Sequence, residues 1–519
     1  MPGKAHVLPH GYYRLYLLSI EEEITVVEGM ISDISSRRRF LKHIGVVGLA
    51  TAWPSSVLAR SSDSIATAHV RVEGIVRCGG QPLSNVRVTD GLQVTRTDTA
   101  GHYLLHTTTQ RLFIYLSVPR GCKIPQSEVG TASFYRPIDE AGTMRADFNL
   151  RPLDFDDVNH SLIVFADPQT KDRYEVDRLH SETLPDVIET VSEVGAERLV
   201  GITCGDIMGG DLGLLPEYKR FTKDVGIPMY QVVGNHDIVR PSRSDEASLS
   251  TFRSNFGPRH YSFDRGDVRY IVLDNVFWTG RSYFGYVDET QLQWLQNDLA
   301  DLEAGRTVVL FMHIPMSSTL FERLDQETPD FARMSNDTVL KEMLAPYQAH
   351  VISGHIHEHE HLISDGLHEH ILGTVCGAWW SGDICYDGTP NGYAIYDVRG
   401  SAVSWRYKST GYPIEYQMRA SEKKSLGDRT ELTMNVWDAD DEWTVVWYED
   451  GIRSGRMCRV TGTDGRAEEL YRGEGVPERR PSLEPVPTNH LYNAQVANKA
   501  RIRVEAIDRF GRTYNGAVG

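Results

Sequence analysis

The chain contains little cysteine, no excess of positive charge and no long apolar run, and each shortage excludes a class of protein. Six cysteines in 519 residues are too few for a fold built on disulfides, and the absence of any C-x-x-C spacing argues against a thiolate zinc site. A formal net charge of −17 excludes a broadly basic surface for long nucleic acids. Beyond the N-terminal segment, no stretch is long and apolar enough to predict a transmembrane helix.

What remains is the composition of a folded globular protein, with 40% hydrophobic and 24% charged residues, and a length that predicts about two to four domains. An acidic protein that acts on an anionic substrate needs local positive charge, which a bound metal ion supplies. Two pairs of cysteines, Cys78 with Cys122 and Cys376 with Cys385, are close enough in sequence to bridge outside the cell. Buried free thiols are an equally good interpretation.

The N-terminal segment contains an export motif. Residues 36–42 read S-R-R-R-F-L-K, which resembles the twin-arginine export signal, and an apolar stretch and small residues up to Ala59 follow. A membrane anchor is the alternative, but the apolar stretch is too short and too rich in glycine and alanine to span a bilayer. We expect residues 30–59 to be a signal peptide read by the twin-arginine export machinery. Residues 1–29 would be a non-translated or disordered extension, with translation starting at Met30, and the protein would be periplasmic or secreted.

Three segments with different hydrophobic patterns follow along the chain. Residues 68–151 show period-two apolar positions such as Val70 and Val72 between glycine-rich turns, which predicts a small β-sandwich with a structural or docking role. Residues 159–410 alternate strand-like runs with helices at 184–194, 216–225 and 288–303, which predicts an α/β core. Residues 411–519 return to strands and turns and predict a C-terminal, mostly β domain.

Polar side chains stand at the ends of the apolar runs in the core. A lone Gly-Asp is usually a turn and a lone buried histidine is usually a satisfied core residue, so each block alone is weak. Five blocks in order, each closing a β-like run, are strong evidence for a polar site at the end of a sheet. The residues concerned are Asp167, Gln169, Asp206, Asn235, His236, Asp237, His313, His355 and His357.

These blocks resemble the calcineurin-like metallophosphoesterase family, whose pattern is D-x-H, G-D, G-N-H-D/E, H and G-H-x-H. The match spans roughly residues 159–410, and the flanking β domains resemble a group of secreted bacterial members. The resemblance implies an α/β (α+β) fold with an αββα-sandwich core and two divalent metal ions, Mn, Fe or Zn. One ion would be held by Asp167, Gln169 and His357, the other by Asn235, His313 and His355. Asp206 would bridge the two ions.

The resemblance also implies a mechanism, in which a metal-bridging hydroxide attacks phosphorus. His236 would protonate the leaving oxygen or steady its charge, and Asp237 would orient His236. One residue departs from the family pattern, because Gln169 stands where the family has histidine. An amide oxygen is a weaker ligand than imidazole, so the first ion would bind less tightly or prefer Mn or Ca. Alternatively, Gln169 supports the other ligands without binding metal.

Two further groups follow the last block. His359, His361, His368 and His370 could hold a third metal or contact a substrate phosphate, but a solvated hairpin is the favoured interpretation. Trp379 and Trp380 lie in a glycine-rich loop and are predicted to form a pocket wall against the organic part of the substrate.

The sequence therefore predicts an exported phosphoric ester hydrolase. Its substrate would be a phosphate mono- or diester of a small molecule, a lipid head group or a glycan head group, and not a long nucleic acid. One alternative is a binding or scaffold protein on the same fold, inactive because of Gln169. Another is a nucleotidase-like variant, which the acidic net charge does not disfavour. Metal content separates the enzyme from the scaffold.

Overall fold

The N-terminal module is a sandwich of two small sheets. The computed structural model describes residues 68–138, 141–364, 366–421, 424–426, 428–474 and 476–518, so the expected signal segment lies outside the described residues. The strands of the module are β1 (His69–Cys78), β2 (Gln81–Pro82), β3 (Arg87–Thr89), β4 (Val94–Arg96), β5 (His102–Thr108), β6 (Phe113–Leu116), β7 (Tyr135–Pro137), β8 (Gly142–Arg145) and β9 (Phe148–Leu150). One sheet has the order β2-β1-β5 with β8 and β9 also on β1, and the other has the order β4-β3-β6-β7. Val70 and Val72 are buried between them, as the period-two pattern predicts.

The core contains two mixed sheets. Its strands are β10 (Asn159–Phe165), β11 (Leu199–Thr203), β12 (Met229–Gln231), β13 (Tyr261–Arg265), β14 (Val268–Val272), β15 (Val276–Trp278), β16 (Tyr283–Gly285), β17 (Thr307–Phe311), β18 (Gln348–Ser353), β19 (Glu360–Ser364), β20 (Leu367–Ile371), β21 (Gly392–Arg399) and β22 (Ala402–Ser409). The first sheet runs β12-β11-β10-β21-β22 and the second β13-β14-β17-β18-β20-β19, while β15 and β16 form a separate hairpin.

Helices accompany these sheets, and the longer ones pack against the outer faces. The helices are α1 (Arg173–Arg178), α2 (Leu184–Val194), α3 (Leu215–Val225), α4 (Asp245–Ser248), α5 (Ser250–Phe256), α6 (Glu289–Leu299), α7 (Leu320–Arg323) and α8 (Asp337–Leu344). Along β10, Leu162 and Val164 pack between the two sheets, whereas Ile163 and Phe165 pack against helices. Burying one such side chain stabilises the fold by about 2 kcal/mol. The predicted αββα sandwich is confirmed.

Local sequence signals explain where the helices begin. Helices α2 and α3 both have proline in the first turn, where its missing N–H costs nothing. The Asp288 side chain accepts hydrogen bonds from the backbone N–H groups of Thr290 and Gln291 and starts α6. The predicted helix over 288–303 is therefore correct at its start, but it ends at Leu299.

The C-terminal module is again built from strands. They are β23 (Arg419–Ala420), β24 (Lys424–Leu426), β25 (Arg429–Asn435), β26 (Thr444–Glu449), β27 (Ile452–Arg456), β28 (Cys458–Thr463), β29 (Pro487–Ala497), β30 (Ile502–Ile507) and β31 (Thr513–Val518), with one helix, α9 (Gly465–Arg472). One sheet runs β23-β25-β29-β28 with β24 on β25, and the other runs β27-β26-β30-β31. Leu432, Val445 and Val504 are buried in its core. The predicted mostly β character of this region matches the structure.

The N-terminal module is joined to strand β12. The Ala132 N–H donates to the Met229 carbonyl at 2.8 Å, and the Met229 N–H donates to the Gly130 carbonyl at 3.0 Å. Phe134 packs on Tyr230 and Tyr261, with ring centroids 5.5 and 4.7 Å away. The core of the module is thus continuous with the layer between the two sheets.

The cysteines are free in this structure. The Sγ atoms of Cys78 and Cys122 lie 2.9 Å apart, and Cys376 and Cys385 are both buried close to Thr374. Among the described residues, none of the helices combines the length and the apolar composition needed to cross a bilayer.

Candidate metal centre

The predicted site residues meet where parallel strands end. Strands β10, β11 and β12 are parallel in the first sheet, and β17 and β18 are parallel in the second. Asp167, Asp206 and Asn235 follow the first three strands, and His313 and His355 follow the other two. Because the two sheets face each other, residues that are far apart in the sequence come into contact at one edge of the sandwich.

The side chains converge on each other and not on solvent. His313 Nε2 lies 3.0 Å from Asn235 Oδ1, 3.3 Å from Asp206 Oδ1 and 3.2 Å from His355 Nδ1. His357 Nε2 lies 3.7 Å from Asp167 Oδ1. These six residues are each at most 5% exposed. A buried set of nitrogen and oxygen donors this compact suits a cation better than water.

The histidines present free lone pairs to the centre because their outer nitrogens are tied to backbone carbonyls. His313 Nδ1 lies 2.9 Å from the Cys204 carbonyl, His355 Nε2 lies 2.9 Å from the Phe331 carbonyl, and His357 Nδ1 lies 2.6 Å from the Gly377 carbonyl. A carbonyl can only accept, so each outer nitrogen carries a hydrogen, and the inner nitrogen of the neutral ring is left to bind a metal through its lone pair. This is the arrangement that fixes metal-binding histidines in proteins.

Asp167 shows most directly that the residues fit a divalent ion. Its Oδ1 is buried without a hydrogen-bond partner among the described residues, while its Oδ2 accepts from the His355 N–H at 2.9 Å. Burial raises the pKa of Asp167 to about 8, and the nearby Asp206 charge adds to this rise while His313 opposes it. A bound cation would satisfy the unpaired oxygen and stabilise the charged carboxylate.

Asp206 lies between the two groups of ligands. Its Oδ1 faces His313 and accepts from the His236 N–H at 2.8 Å, and its Oδ2 accepts from Gln169 Nε2 at 3.2 Å. Burial alone would raise the pKa of this carboxyl, but the charges of His313 and His236 outweigh burial and lower it. A carboxylate kept ionised between two ion sites can bridge them, as the resemblance implies.

The Gln169 side chain contacts Asp206 in this structure, and its predicted role as a metal ligand stays a prediction. Its amide nitrogen, which cannot bind a metal, faces Asp206, and its oxygen lies 3.7 Å from Cys376 Sγ. Its backbone N–H also donates to the Asp206 carbonyl at 2.9 Å. This contact agrees with the alternative interpretation, in which Gln169 supports the other ligands without binding metal.

The backbone at the centre is strained. Five of the predicted ligands have left-handed φ angles, between 42° and 75°, although none is glycine: Asp167, Gln169, Asp206, His355 and His357. Each such residue costs about 1–3 kcal/mol, and strain of this kind collects at functional sites. The rest of the fold therefore stabilises these unfavourable backbone conformations, which direct the side chains into the centre.

Two glycines of the sequence blocks are required by close packing. A Cβ on Gly234 would lie 1.9 Å from the Asp206 nitrogen, and a Cβ on Gly354 would lie 2.2 Å from Asp167 Oδ2. No side chain can occupy either position without moving a carboxylate of the centre. The Gly-Asn-His and Gly-His blocks therefore begin with glycine for a steric reason.

His236 and Asp237 differ in environment. His236 is partly exposed, unlike the other histidines of the centre. Asp237 is buried, and its oxygens accept from the backbone N–H groups of Met208 and Gly234 at 3.0 and 2.9 Å. Burial and the charge of Asp206 raise the pKa of Asp237 to about 7. Asp237 holds the turn that carries His236, and its predicted contact with the imidazole stays a prediction.

The two tryptophans have different roles. Trp379 is partly exposed, and its ring centroid lies 5.5 Å from that of His357 and 6.1 Å from that of Tyr386, so it can form a pocket wall. Trp380 is only 1% exposed and donates its Nε1–H to the Pro168 carbonyl at 2.9 Å. The prediction that Trp380 contacts substrate is wrong, because its side chain lies under the turn that carries Asp167.

The later histidines do not form a solvated hairpin. They lie on the hairpin β19–β20 and at its start, but His359, His368 and His370 are at most 6% exposed. His359 and His361 contact Asp438 of the C-terminal module at 3.0 and 2.9 Å. The sequence offered no signal for this contact, because Asp438 is 79 residues away from His359.

The groups that orient the ligands could not be identified from residue types. The carbonyls of Cys204, Phe331 and Gly377 belong to the backbone, so no residue type reveals them. Only the positions of Cys204 and Gly377, next to predicted site blocks, could have indicated them.

Comparison with known proteins assigns three segments of the chain to one family. Residues 70–153 match the N terminal of calcineurin-like phosphoesterase, residues 160–359 match calcineurin-like phosphoesterase itself, and residues 369–514 match its C terminal. Together these segments cover well over half of the chain.

Individual relatives are distant. A serine/threonine-protein phosphatase CPPED1 of Pongo abelii is 24% identical over 237 residues, which are 43% of this chain and 71% of the relative. A probable glycerophosphodiester phosphodiesterase GpdQ of Arcobacter nitrofigilis is 30% identical over 163 residues, 30% of this chain and 55% of the relative. Purple acid phosphatase PPD1 from yellow lupin (Lupinus luteus) seeds is 12% identical, with a TM-score of 0.36, over 48% of this chain and 51% of that chain.

The family match and the named relatives confirm the prediction of a hydrolase that acts on phosphoester bonds. The three matched segments lie in the same order as the three modules of the structure. The chain therefore belongs to the calcineurin-like phosphoesterase family.

Proposed function

We propose that the protein hydrolyses a phosphate mono- or diester with the help of two divalent ions held at the strand ends. The observation that carries this proposal is the set of three histidines whose outer nitrogens are fixed by carbonyls and whose inner nitrogens face the buried carboxylates. Divalent ions bound there would neutralise phosphoryl oxygens and acidify water. One ion would be held by Asp167 and His357. The other would be held by Asn235, His313 and His355, and Asp206 would bind both ions.

The residues of the chain supply position and a proton. The Asp206 carboxylate is fixed through the His236 N–H and the Gln169 amide, so its place between the ligand groups does not depend on solvent. His236 is the partly exposed imidazole of the centre. An imidazole in that position can give a proton to the departing oxygen near neutral pH.

The test is hydrolysis of aryl phosphates by purified protein. We expect turnover of a p-nitrophenyl phosphomonoester or a bis-p-nitrophenyl phosphodiester, its loss in chelator, and its return with Mn or Zn. Asn235→Ala and His236→Ala should each lower kcat/KM by about 100-fold or more. His102→Ala, an exposed histidine of the N-terminal module, is the matched control and should keep full activity.

Two outcomes would contradict the proposal. Full activity in chelator would exclude the metal centre, and the absence of turnover on both ester types with several metals would favour the scaffold alternative. Metal analysis of the same protein decides between enzyme and scaffold, because only the enzyme needs about two ions per chain.

The ester type is tested separately, since one named relative is a phosphatase and another a phosphodiesterase. Trp379 and Tyr386 form an aromatic surface beside His357, which supports a substrate with an organic group that stacks there. A small-molecule ester or the head group of a lipid or glycan has this form. Trp379→Ala should lower kcat/KM for an aryl ester about threefold to tenfold, and unchanged kinetics would remove the residue from the pocket.

We also propose export through the twin-arginine machinery to the periplasm or beyond. The support is the sequence S-R-R-R-F-L-K at residues 36–42, and a protein folded with its metal inside the cell suits that pathway. Replacing Arg37 and Arg38 by lysine should retain the precursor inside the cell. Normal export of that variant would overturn the proposal.

A further inference from the structure

The loop that carries His355 and His357 is held from the C-terminal module. Just after these ligands, the His359 N–H donates to Asp387 Oδ2 at 2.8 Å. The same oxygen lies 3.0 Å from Nε2 of His490 on β29, whose Nδ1 lies 2.7 Å from Asn435 Oδ1. Both ring nitrogens of His490 thus lie within hydrogen-bond distance of side-chain oxygens. The residue before Asp387, Tyr386, donates its N–H to the His357 carbonyl at 3.2 Å.

A second contact reaches the same loop through its side chains. His359 Nε2 and His361 Nε2 lie 3.0 and 2.9 Å from Asp438 Oδ1, and the other oxygen of Asp438 accepts from the Tyr407 N–H at 3.2 Å. The side chains of His359, His361 and Asp438 are all buried. Each oxygen of the buried Asp438 carboxylate thus has a hydrogen-bond partner, and these bonds fix the position of His359 and His361 relative to the C-terminal module.

These residues could instead be taken for a third metal site, because two imidazoles and a carboxylate meet within 3.2 Å. The position of the ring hydrogen of His359 argues against a metal at this place. His359 Nδ1 faces the Gly373 N–H at 3.0 Å and must accept, so its Nε2 carries the hydrogen and donates to Asp438. In the metal centre the opposite holds, since every outer nitrogen faces a carbonyl. His361 continues the chain, with its Nδ1 3.1 Å from Nε2 of His368.

These contacts bear on ligands that are strained. His355 and His357 have φ angles of 75° and 53°, which an unsupported loop would relax. Between these residues and β19, Glu358 forms a buried ion pair with Arg323, whose Nε also donates to the Pro487 carbonyl of β29 at 2.8 Å. The loop is therefore fixed at three successive residues by groups of, or bonded to, the C-terminal module.

We infer that Asp438 and His490 of the C-terminal module are positioning residues for the metal ligand His357. The module is then a working part of the metal centre, although its described residues supply none of the ligands. This inference rests on the metal site of the proposed function. The inference predicts that loss of either residue lowers the affinity for one ion, bound by Asp167 and His357, more than for the other. The other ion is the one bound by Asn235, His313 and His355.

The experiment measures Mn binding to chelator-treated protein by calorimetry, in the full chain. We expect Asp438→Ala and His490→Ala to weaken one of two binding events by roughly 10–100-fold and to leave the other within about threefold. Excess Mn should restore kcat on an aryl phosphate, with KM for the ester unchanged. Asp438→Asn keeps an oxygen for the two histidines and should recover most of the affinity.

The matched control is Asp508→Asn, which changes a buried carboxylate of the same module that accepts from Phe510, Arg512 and Tyr514, all of them outside the loop. If it weakens Mn binding as much as Asp438→Ala does, general loosening of the module explains the effect and the inference fails. Unchanged Mn affinity in both alanine variants also overturns it. A wild-type chain that binds no Mn, Fe or Zn refutes the proposed function instead. Alanine variants that do not fold are replaced by His490→Gln, which cannot keep both ring contacts of His490, and wild-type Mn affinity in that variant also overturns the inference.

Discussion

Replacing Gly234 by alanine is the most direct test of how the centre is built. The added Cβ would lie 1.9 Å from the Asp206 nitrogen and 2.4 Å from its Oδ1. Carbon atoms do not approach such atoms within about 3 Å, so Asp206 or the turn must move by about 1 Å. Metal ligands tolerate only about 0.2 Å, and a displacement of about 1 Å costs roughly 100-fold in rate, or about 2.7 kcal/mol.

The assay compares kcat/KM on an aryl phosphate and the metal content of Gly234→Ala with those of the wild type. We expect a loss of about 100-fold and less than the full complement of ions, with the melting temperature lowered only modestly. Gly462→Ala is the matched control, because its Cβ would meet only Leu491 at an ordinary 3.5 Å. A Gly234→Ala enzyme within threefold of wild type, with both ions bound, would refute the steric argument.

Three further predictions concern other parts of the core. Burial lowers the pKa of His160 to about 4, so between pH 6.5 and pH 4 this imidazole is protonated in the unfolded chain only. The free energy of unfolding should therefore fall by up to about 3 kcal/mol as the pH is lowered across that range. Urea titrations of His160→Gln should show a smaller fall. Trp380→Phe removes the bond to the Pro168 carbonyl and should cost about 1–3 kcal/mol in urea unfolding, whereas an unchanged midpoint would show the bond to be dispensable. Gln169→His restores the family residue and should tighten Mn binding in calorimetry, and weaker binding would mean that the amide contact with Asp206 matters more.

Much of the core was predictable because it depends on local pattern. Strand and helix periodicity located β10 and α2, and the glycine before Asn235 marked the end of a strand. The order of the parallel strands then brings Asp167, Asp206 and Asn235 together without further information, since the carboxyl ends of neighbouring parallel strands share an edge.

The errors arose where burial depends on distant partners. Trp379 and Trp380 are adjacent and chemically identical, yet Trp380 is buried in an apolar cluster, where it bonds the Pro168 carbonyl, while Trp379 lies partly exposed at the edge of that cluster. His359 was predicted to lie on the surface, but its side chain is buried against Asp438, which is distant in the sequence. Gln169, assigned as a ligand by analogy with histidine, also has a contact that the analogy did not indicate, because Asp206 accepts from its amide. No local rule contains these pairings.

The bonds between the N-terminal module and Met229 have a consequence for the isolated core and for evolution. Strand β12 is the outermost strand of its sheet, so without the module it would present unpaired backbone groups next to the turn that carries Asn235. Exposed strands of this kind recruit other chains and aggregate. The core expressed alone should therefore aggregate as well as lose activity, so the module limits how freely this core can be recombined with other domains.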